Sequence, residues 1–515
     1  MEFDLLVVGG GVNGAGIARD AAGRGLSVLL VEQNDLASAT SSASTKLVHG
    51  GLRYLEYYEF KLVREALEER ETLLAMAPHI IWPLRFVLPH AHATRPAWLV
   101  RLGLFLYDHL GGRKRLPGSR GLSLKGAPEG AALKPEYGKA FAYSDCWVDD
   151  ARLVTLNAMD ARERGAVVET RTKLVSARRE GSSWAARLKP VDGPARQVRA
   201  RVIVNAAGPW VSEVLTDALD VTTGSGTRLI KGSHIIVPRL FEGEHAYMLQ
   251  NPDRRIVFAI PYEDRFTLVG TTDVAWYAPP GPAKISAEEV DYLCESINRY
   301  FARSLTPSDV VWSYAGVRPL FDDHADSASA VTRDYVLEVD APEGAAPVLS
   351  VFGGKITTYR HLADQAMNRL SAFFPQAGRS WTRGAVLPGG DLPDLDREAL
   401  ARALRAEFPF LPAEMAKRFA RSYGTRARRI LADAKTLADL GEAFGAGLHA
   451  AEVDYLIAEE WARTAEDILY RRSKLGLHLS PDGAARLDGY VRARLSPPDC
   501  LANSENWLDQ RRTTV

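Results

Sequence analysis

The sequence predicts an α/β chain, α+β overall when its last quarter is included. Three observations lead to this. A strand–helix–strand unit with a glycine-rich turn opens the chain. Two later apolar runs, Val202–Val204 and Val348–Phe352, each end in a small-residue turn. Beyond residue 386 the pattern turns helical, in DREALARALRAEF, PAEMAKRFARSY and a long run from about Ala450 to Lys474.

In the opening unit, Phe3 to Val8 reads as a buried parallel strand. GGGVNG follows, with Gly9, Gly11 and Gly14 in G-x-G-x-x-G spacing, then a helix rich in small residues and a second strand, Leu26 to Val31. Glu32 closes that strand where a dinucleotide site places its ribose acid. The first glycine makes the tight turn, the second admits the pyrophosphate, and the third lets helix and strand pack closely. The helix N-terminus offers N–H groups and a partial positive charge to that anion. An acid at Glu32 favours an unphosphorylated ribose, hence FAD or NAD over NADP.

The next stretch, TSSASTKLVHGGLRYLE (40–56), is too polar for a core strand and too rich in glycine and hydroxyls for one helix. Folded back over the cofactor, Ser41, Ser42, Ser44 and Thr45 can donate to phosphate and ribitol oxygens, and Gly50 and Gly51 let backbone approach a flat ring. FAD has the longer polar spine, so the loop tilts the choice to FAD. The stretch runs directly into a helical pattern, YEFKLVREALEERETLL.

With 515 residues the chain is too long for one core and splits into two or three units. Lys+Arg and Asp+Glu both number 64, so no global field recruits nucleic acid or anionic lipid. Cys146, Cys294 and Cys500 are far apart and form no CxxC pair, which argues against a zinc site, an iron–sulfur site and a disulfide framework; no metal is expected. MEFDLLVVGGG shows no signal peptide, and no apolar run reaches the roughly 20 residues of a membrane span.

These motifs resemble the respiratory, aerobic-type, FAD-dependent glycerol-3-phosphate dehydrogenases of the D-amino-acid-oxidase-like superfamily. The resemblance rests on GGGVNGAGIARDAAGRG, TSSASTKLVHGGLRYLE, YSDCWVDDARL (143–153), NAAGPW (205–210), LIKGSHI (229–235), GTTD (270–273), GVRPL (316–320), TRDY (332–335) and VFGGKITTYR (351–360). It continues through LPGG (387–390) and YRRSKLGLHL (470–479) and covers nearly the whole chain. It implies a Rossmann-like FAD-binding domain (about 1–75, 145–230 and 330–375) interleaved with a mixed-sheet substrate domain (about 76–144 and 231–329). A helical domain occupies 386–515.

Carried onto this sequence, the resemblance gives a cofactor role to Gly9, Gly11, Val12, Asn13 and Gly14, and to Glu32 and Gln33. It does the same for Ser41, Ser42, Ser44, Thr45, Lys46, His49, Gly50 and Gly51. Later in the chain come Ala207 and Gly208, then Gly353, Gly354, Lys355, Ile356 and Thr357. Arg53, Tyr54, Arg318 and Arg333 become the substrate's anion clamp, with Lys355 near both flavin and substrate. Four cations in one pocket are costly unless a phosphate dianion joins them. His234 becomes the base that takes the C2 hydroxyl proton, its ordinary pKa of about 6.5 suiting work near neutral pH. His49 is the competing histidine, and Arg318 can act at the hydroxyl by stabilising an alkoxide. Thr271 and Asp273 line the pocket or orient His234. Catalytic roles thus fall on His234, Arg318 and Lys355.

The implied reaction oxidises sn-glycerol 3-phosphate to dihydroxyacetone phosphate by hydride transfer from C2 to flavin N5, with electrons passing to a membrane quinone. An oxygen-reducing oxidase and a flavin-binding sensor without turnover are the alternatives. PAWLVRLGLFLYDHLGGRKR (96–115) reads as a core helix with a basic loop, and otherwise as a segment lying in a membrane interface. Quinone use implies peripheral attachment on the cytoplasmic face. The C-terminal helices suit a scaffold or homodimer contact, and the basic pairs Arg471-Arg472 and Arg511-Arg512 read as solvated.

Overall fold

The computed structural model describes residues 1–90, 96–112, 114–222, 225–322 and 334–496. Arg333, Cys500, Arg511 and Arg512 therefore lie outside the described residues, as does Arg113 of the basic cluster.

Glu2–Val8 forms the central strand of an eight-stranded sheet. It pairs in parallel with Val28–Val31 on one side and Arg196–Asn205 on the other. Val348–Phe352 adds in parallel to the latter, and Val336–Asp340 closes that edge antiparallel. Both central strands are apolar because both faces are covered. The helix Val12–Gly23 packs on Asp150–Glu163 and Tyr359–Arg369. Gly16 makes the second of these contacts possible, since a Cβ there would meet Tyr359 Cδ2 at 2.8 Å, while Gly14 lets the helix start close on the glycine turn, where a Cβ would meet the Gly9 carbonyl oxygen at 1.9 Å.

A second, ten-stranded mixed sheet is built from the intervening segments. Its long strands are Ile81–His90, Lys139–Val148, Thr227–Pro238 and Trp312–Phe321. The chain crosses between the sheets at the ends of the nucleotide-binding strands, so both sheets face one cleft. His234 sits in the middle of Thr227–Pro238, opposite Tyr314 and Gly270, rather than ahead of a strand as its KGSH context reads. Alternation places it on the cleft face.

The C-terminal domain is helical, with one two-stranded ribbon (Ala443–Gly445 and Leu448–His449). The run from Ala450 to Lys474 is not one helix. Ala450–Glu460 stops at Trp461, whose backbone is left-handed, and a π-helical turn, Asp467–Arg472, follows. Asp467 starts the second piece by accepting the Arg463 and Thr464 N–H groups through its side chain while the Thr464 hydroxyl accepts the Asp467 N–H.

The pair Arg471-Arg472 is not solvated. Arg472 is fully buried and forms a two-pronged ion pair with Asp35, at 2.8 and 2.9 Å, just past the cofactor acid. Arg471 reaches the same carboxylate at 2.7 Å. Burying each charge costs several kcal/mol, and the matched fork geometry offsets that cost.

The helix Ala97–Leu110 is not a core helix either. It buries Leu104 and Tyr107 and leaves Trp98 67% exposed, Leu102 48% and Phe105 51%. The helix is apolar nearly all round, and the fold covers only one face. Among the described residues no helix is long and apolar enough to cross a membrane.

Candidate active site

The ends of the nucleotide-binding strands and the cleft face of the second sheet enclose a cavity of about 480 Å³. Its floor is Gly9, Gly11, Val12 and Asn13 at the start of the first helix, with no acidic residue in that helix's first turn. The Ser41 hydroxyl accepts the Val12 N–H at 3.0 Å, and Asn13 donates to the Gly353 carbonyl at 3.2 Å. At one end Glu32 accepts the Gly10 N–H at 2.7 Å and the Asn34 N–H at 2.8 Å. Burial raises its pKa against those two hydrogen bonds. Gln33, Ala207, Gly208, Gly353, Gly354, Ile356 and Thr357 also line the cavity. An open helix N-terminus, a carboxylate one strand away and a glycine-lined path form the donor set that a dinucleotide requires.

His234, Thr271, Arg318, Lys355, His49 and Tyr54 line the same cavity; Arg318 and Thr271 flank Gly232, and the Arg318 charge reaches His234. Thr45 Oγ1 lies 3.0 Å from His234 Nε2, and the Tyr314 ring stacks on the imidazole at 4.7 Å. His234 Nδ1 is buried with no hydrogen-bond partner among the described residues. The ring fits because position 270 is glycine: a Cβ there would meet His234 Cδ2 at 2.1 Å. The fit costs basicity. Burial, then the charges of Lys46 and Arg318, push the His234 pKa down to about 3. The group is therefore neutral near pH 7, but it is a far weaker base than its ordinary pKa implies.

Arg318 donates to the Thr272 carbonyl at 2.9 Å and pairs with Asp273. The ammonium of Lys355 lies 4.1 Å from the centre of the Tyr54 ring. Arg53 does not line the cavity and bonds Tyr57 on the outer side of the same turn.

Several expected cofactor contacts are placed elsewhere. Ser44 lines the cavity but gives its hydroxyl to Asp150 at 2.7 Å. Lys46 lies behind the wall, bonded to both Asp150 oxygens at 2.9 Å. Ser42, Gly14, Gly50 and Gly51 do not line the cavity. The Gly50 N–H donates to the Tyr107 hydroxyl, whereas the His49 N–H reaches Thr357 Oγ1.

Sequence reasoning missed the supports. Asp150 sits inside the quoted YSDCWVDDARL motif, and a buried carboxylate at a helix start was the available signal. Tyr314 alternates with apolar residues and reads as ordinary strand. Glu289 accepts from Ser233 and Thr272 and pairs with Lys231, bracing the strand of His234 and the turn of Thr271. Nothing in the sequence near position 289 points to that role.

A glycine-floored dinucleotide cleft facing a histidine and two cations defines a flavin-dependent oxidoreductase. The chain belongs to the FAD dependent oxidoreductase family, which it matches over residues 4–360, and its cofactor is FAD. Residues 380–492 match the C-terminal domain of alpha-glycerophosphate oxidase. A glycerol-3-phosphate dehydrogenase of Pseudomonas aeruginosa is 58% identical over 95% of this chain and 95% of its own length. A D-erythritol 1-phosphate dehydrogenase of Brucella abortus is 56% identical over 96% of this chain and 98% of its own. The structure of a glycerol-3-phosphate dehydrogenase from Bacillus halodurans complexed with FAD superposes with a TM-score of 0.73, at 26% identity over 96% of this chain and 94% of that one.

Proposed function

We propose that the chain oxidises sn-glycerol 3-phosphate to dihydroxyacetone phosphate and delivers the electrons to a membrane quinone. The observation that carries this reading is that His234, Arg318 and Lys355 line the same cavity as the glycine floor. FAD supplies the acceptor for the hydride that leaves C2. Arg318 and Lys355 hold the phosphate, with Tyr54 beside Lys355 and Arg333 proposed as the third cation, whereas Arg53 faces away from the cavity. Neutral His234 accepts the hydroxyl proton, while Thr45 and Tyr314 fix the ring. Burial and then the charges of Lys46 and Arg318 hold His234 low, and a bound dianion offsets the charges, so the base strengthens when substrate arrives. Arg318 lies near enough to His234 to favour a developing alkoxide as well.

The acceptor reading is supported by exposed apolar residues beside the cleft. Tyr57 and Tyr58 end the turn that carries Arg53 and Tyr54, and the helix with Trp98, Leu102 and Phe105 packs against that turn. Such a surface suits peripheral contact with a bilayer and access for a lipid-borne quinone. The match of residues 380–492 to an oxidase domain favours a second reading, with oxygen as acceptor.

The test is an anaerobic flavin spectrum before and after adding sn-glycerol 3-phosphate or D-erythritol 1-phosphate. Bleaching by the three-carbon substrate at lower concentration supports the reading, and preferential bleaching by the four-carbon one moves the substrate along the polyol phosphate series. No bleaching by either, with dithionite still effective, ends it and leaves a flavin-binding protein without this turnover. Stoichiometric hydrogen peroxide in air, with no quinone reduction, selects the oxidase.

A further inference from the structure

We propose that Lys474, carried by the C-terminal domain, is a positioning residue for His234, acting through Asp150 on the Ser44–Thr45–Lys46 turn. The inference rests on His234 being the reacting histidine.

Lys474 Nζ lies 3.4 Å from Asp149 Oδ1 and 3.6 Å from Asp150 Oδ1. Asp150 is wholly buried and shapes the turn that bears Thr45. Its oxygens take both bonds from Lys46 Nζ, the Ser44 hydroxyl and, at 3.3 Å, the Ser44 N–H. Burial alone would raise the Asp150 pKa, but Lys46 and Lys474 hold it below the usual carboxylate range. Lys46 and Lys474, with Arg421 beside Asp149 and paired to Glu263, thus match the carboxylates Asp149, Asp150 and Glu263. Without Lys474, one buried negative charge is left over directly behind the turn. Lys46 itself has a left-handed backbone, at φ 60°, that its side-chain bonds keep in place. Thr45, between Ser44 and Lys46, then meets His234 Nε2.

A second line of contact starts in the same segment. The Tyr470 ring stacks on Trp312 at 5.0 Å, Trp312 lies 5.5 Å from Tyr314, and Tyr314 stacks on His234. The Tyr314 hydroxyl donates to the Ser44 carbonyl at 2.8 Å, which joins the two lines. His234 is therefore held at one edge by Thr45 and on one face by Tyr314, and both supports lead back to residues 470–474. That segment is tied to itself: Lys474 Nζ donates to the Tyr470 carbonyl at 3.1 Å, and Ser473 donates its N–H and hydroxyl to the Ile468 carbonyl.

The experiment compares full-length, FAD-loaded wild type with Lys474→Met and Lys474→Arg. It reads the limiting rate of anaerobic flavin reduction per bound flavin, the apparent dissociation constant for sn-glycerol 3-phosphate, and a crystal structure of each. Lys474→Met is expected to keep its flavin and lose about tenfold in limiting rate. Its dissociation constant should change by less than about twofold, and Lys474→Arg should recover most of the rate. In the Lys474→Met crystal the Thr45–His234 separation should open beyond the roughly 3.5 Å limit of a hydrogen bond. An unchanged rate per bound flavin, or a loss matched entirely by flavin loss, overturns the proposal. Where wild type is not reduced, the substrate reading fails, and the crystal comparison still decides the positioning role. If Lys474→Met does not fold, Tyr470→Leu takes its place. A fall of about threefold per bound flavin supports the proposal, and an unchanged rate defeats it.

Discussion

Thr45 Oγ1 and His234 Nε2 lie 3.0 Å apart, so the hydroxyl-rich loop that follows the cofactor acid also holds the histidine of the opposite sheet. That contact commits one ring nitrogen and leaves Nδ1 without a partner among the described residues. The loop therefore lines the cofactor cleft and braces the histidine of the second sheet at once.

Replacing His234 by alanine removes the proposed base without touching the glycine floor. Flavin content should be unchanged, and anaerobic reduction by sn-glycerol 3-phosphate should slow by about 10²- to 10⁴-fold. Stopped-flow absorbance at the flavin band measures both. A rate within threefold of wild type removes His234 from the mechanism.

Acid should destabilise the protein through two buried histidines. His79 and His234 are each pushed from 6.5 to about 3, His79 by burial and then by Arg152. Between those values the unfolded chain carries the protons and the folded one does not. The stability they confer is therefore full above pH 6.5 and is lost progressively as pH falls toward 3, by about 1.4 kcal/mol per pH unit for each group. Denaturant unfolding of His79→Leu at several pH values should show a slope shallower by one proton. An unchanged slope means that His79 is charged in the folded state.

Glu32 binds two backbone N–H groups that shape the cofactor turn. In Glu32→Gln one of the two oxygens becomes an amide that cannot accept. The remaining oxygen must then serve both the Gly10 N–H and a ribose hydroxyl, and a lost hydrogen bond to a charged acceptor is worth about 1.5–3 kcal/mol, so FAD affinity should fall by roughly ten- to a hundredfold. Titration of the apoprotein with FAD measures this, and an affinity within twofold of wild type would remove Glu32 from the cofactor site.

Charges on the exposed helix should separate membrane contact from chemistry. The double variant Trp98→Glu/Phe105→Glu should sediment with quinone-loaded vesicles at least tenfold less than wild type, because each buried aromatic contributes about 1.5–3 kcal/mol. Its anaerobic reduction by substrate should stay within twofold. Undiminished vesicle binding would place the membrane contact on another face.

The nucleotide-binding half was legible because its signals are local. Gly9, Gly11, Gly14 and Glu32 fall within one short unit, and the turns at Ala207–Gly208 and Gly353–Gly354 each follow an apolar strand that announces them. His234 was legible as a candidate but not as a buried group, since its burial depends on Gly270 and Tyr314 from two other strands. Glu289 and Lys474 were illegible for the same reason. Each acts on a residue far along the chain, and no periodicity encodes a partner at that distance. The exposed helix at 97–110 was misread because apolar residues all round a helix predict burial, and the fold supplies cover for only one side.

The ion pair of Asp35 with Arg471 and Arg472 joins residues 436 and 437 positions apart. On a ribosome adding about 5–20 residues per second, roughly 20 to 90 s separate the two halves of that bond. During this interval the first turn of the nucleotide site has been made, but its carboxylate has no cation. The segment just past the cofactor acid is thus written early and neutralised late, and a chain cut short before Arg471 leaves the Asp35 carboxylate without its two guanidinium partners.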